Sequence, residues 1–348
     1  MTISRDGRES LASIRDRIQA KVVGRARELS LVLAAVAAGR DILLEGPPGT
    51  SKSTLLRAIT AEWGIPLVFV EGNADLTPAK LVGHHNPARV LREDYSPENF
   101  VDGPLIEAMR AGGFLYIEEF NRAPEDTLNT LLTAMAERRV AVPRVGEVIA
   151  RDTFRVIASM NPYDNIGTTR LSTSVHDRLC RLAVDYQDAA AERGIVALRA
   201  ARFEQAALAD LKPALYERLI ADAVAVTRAT RAHEAIRQGS SVRGAIDLTL
   251  VAGQLFQLDP ERARVCSSAA NHDSDGHATG ETVWDEPSAG EWDEAAEEAY
   301  RDTVYDAMIL ALSGRIFLDE TVDATPELVL REIWEDHFIL DPAAAAPG

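Results

Sequence analysis

Lysine is scarce in this chain of 348 residues. It occurs only at Lys21, Lys52, Lys80 and Lys212, so nearly every cation is an arginine. Basic charge is also outweighed, since 37 Lys and Arg residues face 54 Asp and Glu residues and the net charge is −17. A chain with this balance has little positive charge for neutralising a phosphate backbone, which disfavours non-specific nucleic-acid binding. A lysine inside a chemical motif therefore stands out from its background.

Cysteine and long apolar runs are also lacking. Two lone thiols, Cys180 and Cys266, make neither a disulfide framework nor a zinc site. The first residues are polar and charged where a signal peptide would be apolar, and no run of about 18 uncharged apolar residues follows. These absences favour a cytoplasmic protein that does not insert into a membrane.

From Asp41 onward, short β-rich runs alternate with helical segments, which is typical of a parallel α/β sheet. The strand signal ends near residue 187, after which Ala, Leu, Arg and Glu dominate as far as Leu258 and predict a helical domain. The predicted strands lie at 42–45, 67–71, 114–118, 154–159 and 182–186.

Residues 267–298 contain ten carboxylates and no Lys or Arg, which predicts a mobile acidic linker. Because these residues hold ten of the seventeen excess negative charges, the remainder of the chain is only mildly acidic. This weakens the argument against nucleic acid without reversing it. Beyond the linker, residues 299–348 are predicted to form a C-terminal helical segment, since Tyr300, Val304, Met308 and Leu312 recur at four-residue spacing.

The first predicted strand leads into a loop of the type that holds nucleotide phosphates. Backbone N–H groups and the positive end of the following helix, which runs on from Thr54, would surround the phosphates. Lys52 would bridge the β and γ phosphates, and the Ser53 hydroxyl would ligate Mg²⁺. Ser51 replaces the usual glycine, so we expect position 51 to avoid a conformation that only glycine tolerates. The loop residues are Gly46, Pro47, Pro48, Gly49, Thr50, Ser51, Lys52 and Ser53.

Two adjacent carboxylates, Glu118 and Glu119, end the third predicted strand. Side chains alternate along a strand, so the two glutamates cannot share one role. We expect Glu118 to orient the Mg²⁺ shell and Glu119 to polarise the attacking water as general base. Taken alone, the pair is more typical of a strand that simply ends in solvent; the upstream Lys52 reverses this and favours the catalytic interpretation.

Together these features resemble an AAA+ ATPase of the MoxR group over roughly residues 11–255. The resemblance implies an AAA+ P-loop core of three layers with a parallel sheet over 1–186, followed by an all-α lid over 187–266. It also implies an insert in the second helix at about 83–100 and a hairpin at about 140–151. Val23 and Gly24 would join the loop in binding nucleotide. The matching motifs are Val23-Gly24-Arg25, GPPGTSKS at 46–53, the Glu118-Glu119 pair with FNRAPEDTLNTLL after it, and ASMNP at 158–162.

The same resemblance assigns three further site residues. Asn161 would be the sensor that holds the attacking water or the γ-phosphate, and Arg243 would be the second sensor on a lid helix. Arg178, or Arg181 as second choice, would complete the site of a neighbouring subunit. The plain alternatives are a surface ion pair for either arginine of the Arg178 segment, and an exposed helix cation for Arg243.

The resemblance implies a Mg²⁺-dependent ATPase that assembles as a homo-oligomeric ring, most often a hexamer. Such proteins remodel or activate a client protein or metalloenzyme, commonly together with a protein that has a von Willebrand factor A domain. Two alternatives stay open. A DNA-directed motor or loader would need a basic lining around Arg139, Arg144 and Arg151. A nucleotide-gated scaffold without hydrolysis would explain the departures at Ser51 and Glu118.

Overall fold

The structure, a computed structural model, describes residues 10–93, 95–162, 171–201, 211–269 and 294–340. The chain forms two compact units, and the boundary lies between Tyr186 and Gln187. Each unit buries its own set of apolar side chains. No helix among the described residues combines the length and the apolar character needed to cross a bilayer.

The first unit alternates strands with helices along the chain. Its helices are α1 (Leu11–Gln19), α2 (Ala26–Ala37), α3 (Lys52–Trp63), α4 (Pro78–Val82), α5 (Pro87–Glu93), α6 (Pro104–Ala111), α7 (Glu125–Glu137) and α8 (Thr173–Arg178). Its strands are β1 (Ile42–Glu45), β2 (Leu67–Glu71), β3 (Gly83–His85), β4 (Phe100–Asp102), β5 (Phe114–Glu118), β6 (Arg139–Val142), β7 (Gly146–Ile149), β8 (Arg155–Met160) and β9 (Cys180–Ala183).

Five of these strands form one sheet in the order β2-β5-β8-β1-β9, and every neighbouring pair is parallel. Side chains along each strand alternate between two faces. Ile42 and Leu44 pack with residues of α1, α2 and α3, whereas Leu43 packs with residues of α6 and α7. The sheet is therefore the middle of three layers, and the predicted fold class is confirmed. Its carboxyl ends bring the residues after β1, β5 and β8 to one edge.

The fifth predicted strand, at 182–186, is displaced from the observed one. β9 spans Cys180–Ala183, and Cys180 pairs with Ile42 at the start of β1. The predicted strand includes Val184 because this residue is apolar. Val184 is 2% exposed, but it lies beyond the end of β9. Pairing with β1 decides the strand bounds, and this register cannot be read from a single apolar run.

Two small antiparallel pairs extend from the first unit. β3 pairs with β4 around α5, with Gly83 opposite Asp102, so the region where the insert is predicted forms a short paired element that continues two residues past Phe100. β6 pairs with β7, and Val142 lies opposite Gly146. Gly146 has φ 104°, a left-handed value that glycine adopts without steric cost.

The second unit is mainly helical, as the predicted fold class has it. The described helices are α9 (Ala189–Ala201), α10 (Pro213–Ala232), α11 (Val242–Leu258), α12 (Pro260–Ala269), α13 (Glu294–Leu312) and α14 (Pro326–Glu335), with a π-helical turn at Asp336–Leu340. Its core joins α11 with α13, where Leu248 and Phe256 pack with Tyr300 and Met308. The short strands β10 (Ile236–Gln238) and β11 (Phe317–Leu318) pair antiparallel, and they are too short to show an alternating pattern in the sequence.

The acidic segment is shorter than the predicted 267–298. Helix α12 extends to Ala269, and helix α13 begins at Glu294. The prediction counted Glu297 among the solvated charges of the linker. In the structure, Glu297 lies on α13 and forms a bidentate pair with Arg218 of α10 at 2.6 and 2.8 Å. Residues 270–293, and with them most of the predicted linker, lie outside the described residues.

Candidate functional site

The loop between β1 and α3 begins where three strands of the sheet meet. The N–H of Gly46 donates to the carbonyl oxygen of Met160, the last residue of β8, over 3.1 Å. On the other side, the carbonyl oxygen of Val184 would lie 1.9 Å from a Cβ atom at position 46. No side chain tolerates so close a backbone approach, so Gly46 fixes the point at which the loop leaves the sheet.

Two loop residues have left-handed backbone conformations. Gly49 has φ 77° and Ser51, directly before α3, has φ 64°. The expectation that Ser51 avoids the region that favours glycine is therefore wrong. The turn from loop into helix requires this conformation whatever residue stands there, and it costs a non-glycine residue about 1–2 kcal/mol.

The Lys52 ammonium lies among the loop's own oxygens. Its Nζ donates to the carbonyl oxygens of Gly46 and Pro47 over 2.9 and 2.8 Å, and to Thr50 Oγ1 over 3.1 Å. The Thr50 hydroxyl donates in turn to the Pro47 carbonyl oxygen at 3.0 Å. The loop thus surrounds a cation at the amino end of α3, where the helix dipole also favours an anion.

Ser53, one residue further along α3, reaches the end of β5. Its Oγ donates to Oε1 of Glu118 over 2.8 Å. Magnesium takes hard oxygen ligands and is usually held by one or two protein groups together with substrate phosphates. A hydroxyl and a carboxylate side by side, next to a loop of phosphate-binding type, are a donor set of this kind. Ser53 and Glu118 therefore fit the predicted metal site.

Tyr116 adds a third group to this pair. Its hydroxyl lies 3.1 Å from Ser53 Oγ, donates to Glu118 Oε1 over 3.3 Å, and lies 2.9 Å from Ser159 Oγ of β8. Tyr116 and Glu118 are two positions apart on β5 and therefore share a face of the sheet. Burial, reinforced by the negative charge of Glu118, raises the pKa of Tyr116 to about 12, so the phenol keeps its proton at neutral pH.

Glu119 lies apart from this cluster. It follows β5 with a left-handed φ of 52°, and its side chain pairs with Arg122 at 3.2 Å. Both side chains are more than 40% exposed, so the pair contributes little stability. The Glu119 carbonyl oxygen would lie 2.3 Å from a Cβ atom at position 72, so Gly72 allows β2 to approach this turn closely. The structure thus separates the two glutamates, as strand alternation predicts.

Asn161 follows β8 and is half-buried. Its carbonyl oxygen accepts a hydrogen bond of 3.3 Å from Nδ2 of Asn121, in the short turn after Glu119. The preceding residue, Met160, is the one that accepts from Gly46. Asn161 therefore stands at the same sheet edge as the loop and Glu119.

The two candidate arginines differ in their surroundings. Arg178, at the end of α8, is exposed and donates to the carbonyl oxygen and the hydroxyl of Ser174, both at 2.9 Å. Arg181, on β9, forms an ion pair with the buried carboxylate of Glu45 in the same chain. Arg243 is exposed in the first turn of α11, in the second unit.

The segment before the first strand reaches the loop through Arg25. This side chain is 3% exposed and donates to the carbonyl oxygens of Thr50 at 2.9 Å and Asp185 at 2.5 Å, and to Glu28 at 2.7 Å. The neighbouring Gly24 is exposed with φ 66°, and Val23 is half-buried. Among the predicted loop residues, Pro47 is half-buried, and Pro48 and Thr54 are exposed.

Sequence reasoning missed Arg25, Gly72 and Tyr116 as parts of the site. A usable signal existed for Tyr116, since it is the one polar side chain in the otherwise apolar run before Glu118. Arg25 belongs to a motif but was given no role, because the partners that join it to the loop and to the segment after β9 are backbone oxygens far away in sequence. The role of Gly72 could not be predicted, because it depends on β2 lying beside β5 in the sheet.

Comparison with known proteins gives results of three kinds. Residues 41–179 match the family model "AAA domain (dynein-related subfamily)". Gas vesicle ATPase GvpN of Ancylobacter aquaticus is 27% identical over 254 residues, which cover 67% of this chain and 67% of that protein. An uncharacterized protein of Staphylococcus epidermidis is 30% identical over 212 residues, which cover 60% of this chain and 77% of that protein. The crystal structure of a candidate ATPase from Cytophaga hutchinsonii aligns with a TM-score of 0.46 and 19% identity, over 93% of this chain and 92% of that one.

Proposed function

This chain belongs to the family of AAA domains of the dynein-related subfamily, and on that basis we propose that it hydrolyses ATP in the presence of Mg²⁺. One observation carries the proposal. The Lys52 ammonium and the Ser53–Glu118 pair stand side by side at the amino end of α3. A cation for phosphates and an oxygen pair for a metal are the two parts that phosphoryl transfer requires in one place.

The chain's own residues would act as follows. Lys52 exchanges its loop carbonyl partners for phosphate oxygens, and the backbone N–H groups of the loop hold the same oxygens. Glu119, held by a weak surface pair with Arg122, would turn toward a bound nucleotide and accept a proton from the attacking water. Asn161 orients that water or the γ-phosphate from the end of β8. Ser53 and Glu118 would hold Mg²⁺, which would supply positive charge to the phosphate oxygens.

We further propose that the active form is a ring, most simply a hexamer, of the MoxR type. Arg178 favours this arrangement because it is exposed and, within the part of the chain that the structure describes, bonds to Ser174 and not to a carboxylate, so its charge is available to a neighbouring subunit. Arg181 is the weaker choice. If its guanidinium moved to a neighbouring site, the buried carboxylate of Glu45 would lose its cationic partner. Arg243 would sense the nucleotide from the lid and couple its hydrolysis to lid motion.

Ring ATPases of this type act on other proteins. We therefore propose a chaperone-like role in the cytoplasm, in which ATP turnover remodels or activates a client protein or metalloenzyme, together with a partner that contains a von Willebrand factor A domain. Support for a reducing compartment comes from Cys180 and Cys266, which are both free thiols. A Glu119→Gln ring held in the ATP state would retain its client, so mass spectrometry after pull-down with ATP tests this part.

The DNA-directed alternative is less favoured by the charges of the β6–β7 hairpin. Arg139 pairs with Glu137 at 3.5 Å and with Glu147 at 3.3 Å, and Arg144 stacks over the ring of Tyr95 at 6.0 Å. These contacts occupy two of the three arginines, Arg139 and Arg144, that the DNA-directed alternative needs. DNA binding whose affinity falls steeply as the salt concentration rises would support the DNA-directed alternative.

The decisive experiment measures phosphate release from ATP by the purified chain over a range of protein concentrations. A rate per subunit that rises with concentration and requires Mg²⁺ is expected, because a composite site forms only in the assembled ring. No phosphate release at any concentration, with nucleotide bound, would instead identify a scaffold that does not hydrolyse ATP.

A further inference from the structure

Tyr116 is in an unusual position for a polar side chain. Its residue is 1% exposed in a strand whose other central members, Leu115 and Ile117, are apolar. The ring packs in the core between the sheet and α1, α2 and α3, and lies 5.8 Å from the ring of Phe69. Phenylalanine would fill this space equally well. The hydroxyl therefore needs an explanation that packing does not supply.

The hydroxyl reaches three side chains, and each belongs to the sheet edge where the nucleotide site lies. Ser53 Oγ is 3.1 Å away, Glu118 Oε1 is 3.3 Å away, and Ser159 Oγ is 2.9 Å away. A phenol has one proton to donate and two lone pairs to accept with. It can therefore donate to one neighbour and accept from another at the same time.

We propose that Tyr116 is a positioning residue that presets Ser53 and Glu118 for Mg²⁺; this inference rests on the proposed function. A serine hydroxyl that offers a lone pair to a cation must direct its proton away from it. Ser53 Oγ donates here to Glu118 Oε1, and once that carboxylate faces the cation, the phenol oxygen at 3.1 Å is the acceptor for the serine proton. The phenol proton then goes to Glu118 Oε1, which keeps that carboxylate turned toward the same place.

Ser159 contacts the phenol oxygen from β8. This serine is 1% exposed, and its register partner is Leu44 of β1. Without this contact the phenol would still pack, but its oxygen would lose a buried partner. The contacts of Tyr116 with Ser159, Ser53 and Glu118 thus link β5, β8 and α3.

The test compares wild type with Tyr116→Phe, using a non-hydrolysable ATP analogue, AMP-PNP, and calorimetry. Binding is measured in EDTA and over a series of MgCl₂ concentrations. We expect the Mg²⁺ concentration for half-maximal enhancement of binding to rise by about three- to tenfold in Tyr116→Phe, the size of one lost hydrogen bond. Affinity in EDTA should change by less than about twofold, because the phenol contacts Ser53 and Glu118, the pair assigned to the metal, and not the Lys52 ammonium assigned to the phosphates.

Tyr300→Phe is the matched control, since it removes another buried phenol that donates to a carboxylate, that of Asp222 at 2.6 Å, in the second unit. It should leave the Mg²⁺ dependence unchanged. If Tyr116→Phe does not fold, Ser159→Ala is used instead and should shift the Mg²⁺ dependence in the same direction.

An unchanged Mg²⁺ dependence in the folded variant, or an equal loss with and without Mg²⁺, would overturn the role of Tyr116 alone. Wild-type protein that binds AMP-PNP equally well in EDTA and in Mg²⁺ would overturn the metal site itself, and the proposed function with it.

Discussion

Ser53 Oγ lies 2.8 Å from Glu118 Oε1, although the two residues are 65 positions apart in the sequence. The contact joins the first turn of α3 to the end of β5. It exists because β1 and β5 are parallel neighbours of β8, so their carboxyl ends meet at one edge of the sheet. The adjacent Glu119 lies apart from this contact, since its side chain pairs with Arg122.

Glu119→Gln should bind ATP but turn it over at least about 100-fold more slowly, because glutamine cannot accept a proton from water. Phosphate release under saturating ATP measures this, and retained nucleotide confirms that binding survives. Glu71→Gln is the control, since Glu71 ends the neighbouring strand in register with Glu118 and is also exposed. Equal turnover by Glu119→Gln and wild type would remove Glu119 as the base.

Arg178→Ala should lower ATP turnover by about 10³-fold or more if its guanidinium completes a neighbouring site. Mixing Arg178→Ala with Glu119→Gln subunits should restore part of the activity, because one interface then contains both intact groups. Arg181→Ala distinguishes the two candidates. Recovery with Arg181→Ala but not with Arg178→Ala would transfer the role to Arg181, and no recovery with either, in rings shown to be mixed, would argue against a donated arginine.

Ser51→Gly should stabilise the protein by about 0.5–1 kcal/mol, since glycine relieves the left-handed backbone at φ 64° and loses only part of that gain to greater unfolded-state entropy. Urea unfolding monitored by circular dichroism measures the change. Thr54→Gly provides the matched control, because position 54 lies within helix α3 and glycine there should destabilise by up to about 1 kcal/mol. If both variants lower the unfolding midpoint equally, strain at Ser51 is absent.

Arg25→Ala should lower the free energy of unfolding by about 2–3 kcal/mol, because it leaves the carbonyl oxygens of Thr50 and Asp185 without their donor. It should also weaken ATP binding, since Thr50 is part of the phosphate loop. Arg27→Ala, an exposed neighbour on α2, should change stability by less than about 0.5 kcal/mol. Indistinguishable unfolding curves for the two variants would show that Arg25 does not hold the loop.

The sequence predicts the central strands of the fold well, because buried parallel strands are short apolar runs between helices. β1, β2 and β5 begin and end where the runs at 42–45, 67–71 and 114–118 do. It fails at β9, an edge strand whose limits depend on pairing with β1. Register is a property of two segments, so one segment alone cannot define it.

The sequence likewise predicts some residues of the candidate site and not others. Lys52, Ser53 and Glu118 are predicted because their spacing from a strand or helix end places them together. Ser51 is misjudged because a backbone angle depends on the whole turn, and its left-handed value is set by the path from loop to helix. Arg25 escapes notice because its partners, the carbonyl oxygens of Thr50 and Asp185, carry no side-chain signal.

The most direct test of the account is calorimetric titration of ATP with Mg²⁺ into the wild-type chain and into Lys52→Ala. Lys80→Ala, an exposed lysine on α4, serves as the control. The account predicts saturable heat for wild type and Lys80→Ala, and none for Lys52→Ala, whose loop has lost the cation that meets the phosphates. No heat from the wild-type protein, or equal affinity in all three, would contradict the assignment of this loop as the nucleotide site.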